Sequence, residues 1–485
     1  MESKIIANQK NGKKLCFDGF MYVVKHSGKK QITWRCEKNS SANCKATIKT
    51  DLEWKNPSSV IGIHTHPGSD DKIKVAEARQ NMKRKAESTL DKPTQILASV
   101  VSTLPDEVSA LLPSEETYRR TLRNIRSKKR PKDPKTPEEL SIEDDWKMTS
   151  GPEPRLFLQL DNGKEAPERL LVFGTDESLQ LLAGSTSWFM DGTFSVVPYL
   201  FGQLYVIHGE VGTDRCPLLY ALMQRQAQSS YEELFNFISS KCHADPSSIT
   251  VDFEKCVHQA IRSVFGNDVA IRGCFYHLTQ STWRKIQNLG LTDAYKDNEE
   301  FRLFCGQLDS LALLPIDRVQ EGMAHLKSNI PEGAQELVEY FDSTYVSGQL
   351  KCRQPKGRRL GFSLRRAQPT YPPETWNCHE ATMSNTARTN NICEGWNNGF
   401  ANLVGQQHPS IWKLIENLRK EEARVHVRVV QDERGVRVHK RKRRVYEELQ
   451  KRLKNLLDDL IGGRKDIPQF LRGVSHNIRF GQPHI

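Results

Sequence analysis

Over the first seventy positions the apolar residues fall in short β-branched or aromatic runs. These are 20-FMYVVKH-26, 31-QITWRC-36, 44-CKATIKT-50 and 59-SVIGIHTH-66, parted by Gly, Asn, Ser and Pro clusters. The pattern predicts a small all-β unit over 1–70. Residues 67–92 are polar and densely charged, which predicts a linker or an exposed helix, with the linker placed at 71–92. Spacing then turns helical. Pro93 opens 94-TQILASVVSTL-104, 105-PDEVSALL-112 is a second short segment, and Ser114 is a natural N-cap for a third. In that third helix Tyr118, Leu122 and Ile125 form an apolar stripe, while Arg119, Arg120, Arg123, Arg126, Lys128, Lys129 and Arg130 fill the other face.

Strand signals return at 155-RLFLQL-160 and 170-LLVFG-174, after a Pro- and acid-rich connector. A short helix, 178–185, precedes strands at 186–191, 201–211 and 216–223. Helices over 230–242, 254–266 and 275–289 then alternate with strands at 248–253 and 268–274. The order is β-β-β-α-β-α-β-α: an antiparallel meander followed by parallel pairing through right-handed crossovers. Residues 290–385 read as mostly helical, with further helices within 386–405, over 410–433 and near 445–461. The expected fold class is multidomain α+β. The expected units are 1–70, the linker, 93–135, a core in two parts (136–284 and 386–438), a helical insertion at 285–385 and a basic tail at 439–485.

Charge narrows the partner. Lys and Arg number 71 against 59 acids, a net charge of +12, which favours a polyanion such as nucleic acid. Eleven scattered cysteines do not form the framework of a small secreted domain. Neither an apolar leader nor a run of about 18 apolar residues is present, so the expectation is a reduced, intracellular, soluble protein with no membrane contact. The helices of 93–135, with a basic third, resemble a DNA-binding helix-turn-helix. The runs around Lys128–Arg130 and at Lys440, Arg441, Lys442, Arg443 and Arg444 suit nuclear localisation or DNA phosphates.

Cys36, Cys44, His64 and His66 provide two thiolates and two imidazoles, enough to close one tetrahedral Zn²⁺ site. A unit this small with few large apolar residues needs such a staple. Together with Leu15, Tyr22 and Trp34 these residues resemble a FLYWCH zinc finger, although Ile5-Ile6 replaces its leading aromatic. The resemblance implies DNA or protein binding.

Three acids stand out: Asp191 after a strand, Asp252 at a strand-to-helix junction, and Glu394 on a later helix. Singly they read as a hairpin turn, an N-cap and a solvated helix residue. Together they have the makings of a site for two Mg²⁺ (or Mn²⁺), which would act on a phosphodiester. Asp191-Gly192-Thr193-Phe194, Asp252-Phe253-Glu254, 273-GCFYHLTQS-281 and 389-TNNICEGWNN-398, the last preceded by Trp376-Asn377, resemble the Mutator-like (MULE) transposases over about 155–430. The resemblance implies a ribonuclease-H-like core with Asp191, Asp252 and Glu394 as catalytic acids, interrupted by a helical insertion. It also implies a role near the active site for Cys274 and His277, with His277 on a DNA phosphate. A core Cys–His pair, or a second zinc site with Cys378-His379, are the alternatives. Trp396 reads either as a contact to flanking DNA or as packing. The expected function is a nuclear cut-and-paste transposase, dimeric on paired terminal repeats of double-stranded DNA. The alternatives are a transposase-derived transcriptional regulator that no longer cuts and a nuclease without strand transfer.

Overall fold

The protein is described from a computed structural model covering residues 3–7, 12–89, 91–128, 130–353, 363–386, 388–436 and 444–479. Lys129 and Lys440–Arg443 lie outside these described residues. The chain forms two compact units, Met1–Lys132 and Asp133–Ile485.

The first unit opens with an antiparallel meander of β1 (Lys4–Ala7), β2 (Lys13–Phe17), β3 (Phe20–Ser27), β4 (Ile32–Cys36) and β5 (Thr47–Thr50). Alternation along β4 turns Ile32, Trp34 and Cys36 inward, where they meet Leu15, Tyr22, Cys44, Ala46 and Ile48. The strand expected over 59–66 is absent apart from one bridge, Thr47 to Ile61. Ile61 and Ile63 are apolar but exposed, so no buried face holds the segment to the sheet.

The linker expected at 71–92 is instead α1 (Asp70–Ser88), capped by the Ser69 side chain. Val75, Ala78, Met82 and Ala86 recur at helical spacing and are buried. Ala78, Met82 and Ala86 share a core with α2 (Pro93–Val101) and α4 (Glu115–Ser127), while α3 (Asp106–Ser109) connects those two. Small residues scattered among charges hid this face. Arg126 donates to the carbonyls of Ala86 and Thr89 at the end of α1, so its guanidinium holds the bundle together. Arg120, Arg123 and Lys128 stay exposed, whereas Arg119 and Arg130 are partly covered.

The second unit begins with α5 (Asp144–Lys147), β6 (Leu158–Asp161), β7 (Leu170–Phe173) and α6 (Asp176–Gly184). The meander β8 (Ser187–Thr193), β9 (Gln203–Val211) and β10 (Asp214–Met223) follows. Then come α7 (Gln228–Cys242), β11 (Ser248–Val251), α8 (Lys255–Phe265), β12 (Ala270–Gly273) and α9 (Phe275–Asn288). The sheet order is β12-β11-β8-β9-β10-β7-β6, with β11 parallel to both β8 and β12. Nearly every residue of β9 is buried because both sheet faces are covered. α6, α7 and α8 pack one face; α16 (Asn391–Val404) and α17 (Ile411–Glu433) return from far along the chain to pack the other.

Between these parts lie α10 (Thr292–Asp297), α11 (Glu299–Ser310), α12 (Val319–Ser328), α13 (Gln335–Phe341), the hairpin β13 (Leu350–Arg353) and β14 (Ser363–Arg366), α14 (Pro373–Trp376) and α15 (His379–Met383). The expected basic tail turns out to contribute two packed helices, α18 (Arg444–Ile461) and α19 (Ile467–Arg479). Leu453, Leu457, Phe470 and Leu471 join the core of the helical region, since their spacing makes one apolar stripe per helix. Arg479 of α19 pairs with the fully buried Asp309 of α11, which also accepts from Thr282 at 2.7 Å. Arg444 caps this segment with an ion pair to Glu448 at 2.6 Å. Among the described residues no helix is long and apolar enough to cross a membrane.

Candidate functional site

Among the described residues two clusters of ligating side chains form, one in each unit. In the first unit Cys36 Sγ lies 3.1 Å from His66 Nε2, and Cys44 Sγ lies 3.3 Å from His64 Nδ1. All four donor atoms fall within 4.8 Å of one another. The far nitrogens are also engaged: His64 Nε2 meets the Tyr22 hydroxyl at 2.9 Å, and His66 Nδ1 meets the Pro67 carbonyl at 3.1 Å. Such outer partners fix the tautomer that leaves the inner nitrogen free to ligate. Phe20 stacks on His64 at 3.6 Å between ring centroids. The donor set and its outer partners fit one zinc ion.

In the second unit Asp191 lies within β8, not in a turn. The Asp-Gly hairpin reading is overturned, because Gly192 pairs with Tyr205 inside the sheet. A side chain at Gly192 would meet Gln203 Oε1 at 2.8 Å, which accounts for the glycine. The parallel register sets Thr250 beside Phe189 and Val251 beside Gly273. Continued to the strand ends, it puts Asp191, Asp252 and Cys274 in one row across three neighbouring strands, about 4.8 Å apart per step. The carboxyl ends of parallel strands are where such sheets bind ligands.

The acids repel one another in a covered site. Burial pushes the Asp191 carboxyl up to about 7, reinforced by Asp252 and Glu394 and opposed by hydrogen bonds from Gly192 N–H and Asn397. Asn397 Nδ2 donates to Asp191 Oδ2 at 2.8 Å. Burial raises Asp252 as well, against His277, His258 and Arg284. Glu254 rises to about 7 through burial and the Asp252 charge, and it accepts from Tyr231, which in turn accepts from Gln203. Glu394 is raised by burial, and its Oε1 is buried without a hydrogen-bond partner. Such a set of oxygen donors has the chemistry that hard divalent cations take.

Glu394 approaches from α16, but the structure groups it differently from the sequence. Its oxygen, Cys274 Sγ and a His277 nitrogen lie within 4.8 Å of one another, whereas the three acids do not form such a cluster. Cys378 and His379 do not join it. Cys378 Sγ donates to Trp376 O, and His379 Nδ1 faces Leu313 O at 3.1 Å, which removes them as partners of a second zinc site. Trp396 packs against Phe400, Tyr220 and His208 and donates to Glu421, so it belongs to the core.

Sequence reasoning missed His258 and the hydrogen bonds that Asn397 and Asn390 make. His258 Nε2 holds the Asp252 carbonyl at 2.8 Å, and Asn390 Nδ2 holds the Met190 carbonyl at 2.8 Å. The three-residue step from Glu394 to Asn397 signalled a shared helix face. His258 carried no such cue.

Residues 5–66 match the family model of the FLYWCH zinc finger domain, and residues 187–281 match that of the MULE transposase domain. The chain carries both domains. The second match supports transposase activity coarsely, and the first supports a zinc finger suited to DNA. The second match takes in Asp191, Asp252, Cys274 and His277 and ends before Glu394. No curated protein matches the chain.

Proposed function

We propose that the chain is a cut-and-paste DNA transposase whose Asp191, Asp252 and Glu394 act on phosphodiester bonds at transposon ends. One observation carries the reading: the parallel register that aligns Asp191 with Asp252 at the strand ends. The meander followed by two parallel strands, with α16 laid across the sheet, supports a ribonuclease-H-like core made of 136–284 and 386–438. Two Mg²⁺ or Mn²⁺ bound there would supply Lewis acidity to the attacking and leaving oxygens. Asp191 and Asp252 orient that site from rigid strand ends, and Asn397 fixes the Asp191 carboxylate. His277 Nε2 lies 3.8 Å from Glu394 Oε1, beside the proposed site. In the first unit the exposed Arg120 and Arg123 suit the terminal inverted repeats. A homodimer would hold the paired ends, and the basic runs suit entry to the nucleus.

Incubating the full chain with terminal-repeat DNA, a target plasmid and Mg²⁺ tests this. Nicked ends followed by joined products are expected. No cleavage, or cleavage unchanged in Asp191→Asn, contradicts the proposal and favours the regulator. Nicks without joined products favour a nuclease.

A further inference from the structure

We infer that Cys274, His277 and Glu394 form a binding site for one thiophilic divalent cation of the Zn²⁺ class, separate from the hard-ion site at Asp191 and Asp252. Three donors from two distant parts of the chain meet within 4.8 Å: a sulfur at the end of β12, an imidazole one turn into α9, and a carboxylate on α16. The three-residue step from Cys274 to His277 puts both on one side of the helix start.

The surroundings are those of a ligand site. Cys274 is fully buried, and its sulfur accepts a hydrogen bond from the Asn390 backbone N–H at 3.1 Å, as metal-bound thiolates do. Two polar atoms of the cluster, His277 Nδ1 and Glu394 Oε1, are buried with no hydrogen-bond partner. Leaving such atoms bare is unfavourable. Between the two residues His277 Nε2 stands 3.8 Å from Glu394 Oε1, too long for a direct bond.

The donors choose the ion. Mg²⁺ and Ca²⁺ take oxygen ligands, so a thiolate and an imidazole with one carboxylate select a softer cation. Three protein ligands leave one position of a zinc tetrahedron open. The ion would tie α16 to the end of β12 and so fix Glu394 in place, making Cys274 and His277 positioning residues. The inference shares Glu394 with the proposed cleavage site but does not depend on cleavage.

Cobalt substitution of the full chain tests it, because Co²⁺ reports thiolate ligation through its charge-transfer absorption. The metal-stripped protein is titrated with Co²⁺, and bound metal is counted. The expected result is two Co²⁺ per chain in thiolate sites, one in each cluster. Cys274→Ala should remove one Co²⁺ and the absorption of one thiolate in three. His277→Ala, at a less buried position, should also remove one, and it provides the reading if Cys274→Ala fails to fold. Cys36→Ser should leave one Co²⁺ with a single-thiolate spectrum. Asp191→Asn should keep both, so loss of cleavage and loss of this site are told apart. A single thiolate-bound Co²⁺ in the unmodified chain, unchanged in Cys274→Ala and His277→Ala, would overturn the inference.

Discussion

In the finger the ligands are the core. Cys36 and Cys44 are buried beside Trp34 and Tyr22, and among the described residues only eight side chains form the buried apolar cluster there. In the seven-stranded sheet the core stands without the site: helices cover both faces, Asp191 lies in β8 and Asp252 just past the end of β11. The same operation, removing a ligand, should therefore do opposite things. In the finger it removes the fold. At the sheet it should remove the proposed chemistry and relieve strain, because burial raises both carboxyls and the Asp252 charge raises Asp191 further.

The largest effect expected is in the finger. Zinc binding to such modules is worth about 10–16 kcal/mol of folding energy, so Cys36→Ser or a strong chelator should melt the sheet of residues 4–50. Amide exchange should then rise across β1–β5 and stay low in β8–β10. Equal protection in both would break the comparison.

Next in size is Asn397→Ala. It removes the donor on Asp191 Oδ2 and should lower cleavage about 10–100-fold, as loss of an outer partner of a metal ligand does. Its melting temperature should hardly move. A large loss of stability with unchanged kcat would mean that Asn397 serves packing alone.

The smallest effect is a dependence on pH. The Asp191 carboxyl rises from 3.8 to about 7 in the folded metal-free protein. The folded state therefore holds a proton that the unfolded chain has released. The associated stability is full below 3.8 and is lost as pH rises through about 7. Without divalent ions the second unit should melt lower at mildly alkaline than at mildly acidic pH, and Mg²⁺ should restore it chiefly above pH 7. Asp191→Asn should flatten this slope. A slope of the opposite sign would sink the electrostatic half of the comparison.

Much of this was legible in the residues. The four finger ligands were readable from type and spacing, and the meander from its apolar runs. What escaped was long-range or lay among charges. That Asp252 stands beside Asp191 depends on the parallel pairing of β11 with β8, across about sixty residues of chain. The buried face of α1 is made of Ala78, Met82 and Ala86 amid charged neighbours. The tail helices pack on each other and on distant α11, α12 and α15. Ile61 and Ile63 misled in the other direction, being apolar yet exposed. Arg126 looked like a DNA contact because nothing local reveals the carbonyls of Ala86 and Thr89.

The most direct measurement is a metal-specificity switch at Asp191. Replacing its carboxylate by a thiolate keeps a ligand but suits softer ions. In Asp191→Cys, cleavage of terminal-repeat DNA should fail with Mg²⁺ and return, at least in part, with Mn²⁺, while the unmodified chain cuts with both. Mg²⁺-driven cleavage by Asp191→Cys at the rate of the unmodified chain would contradict the claim that this carboxylate holds the ion.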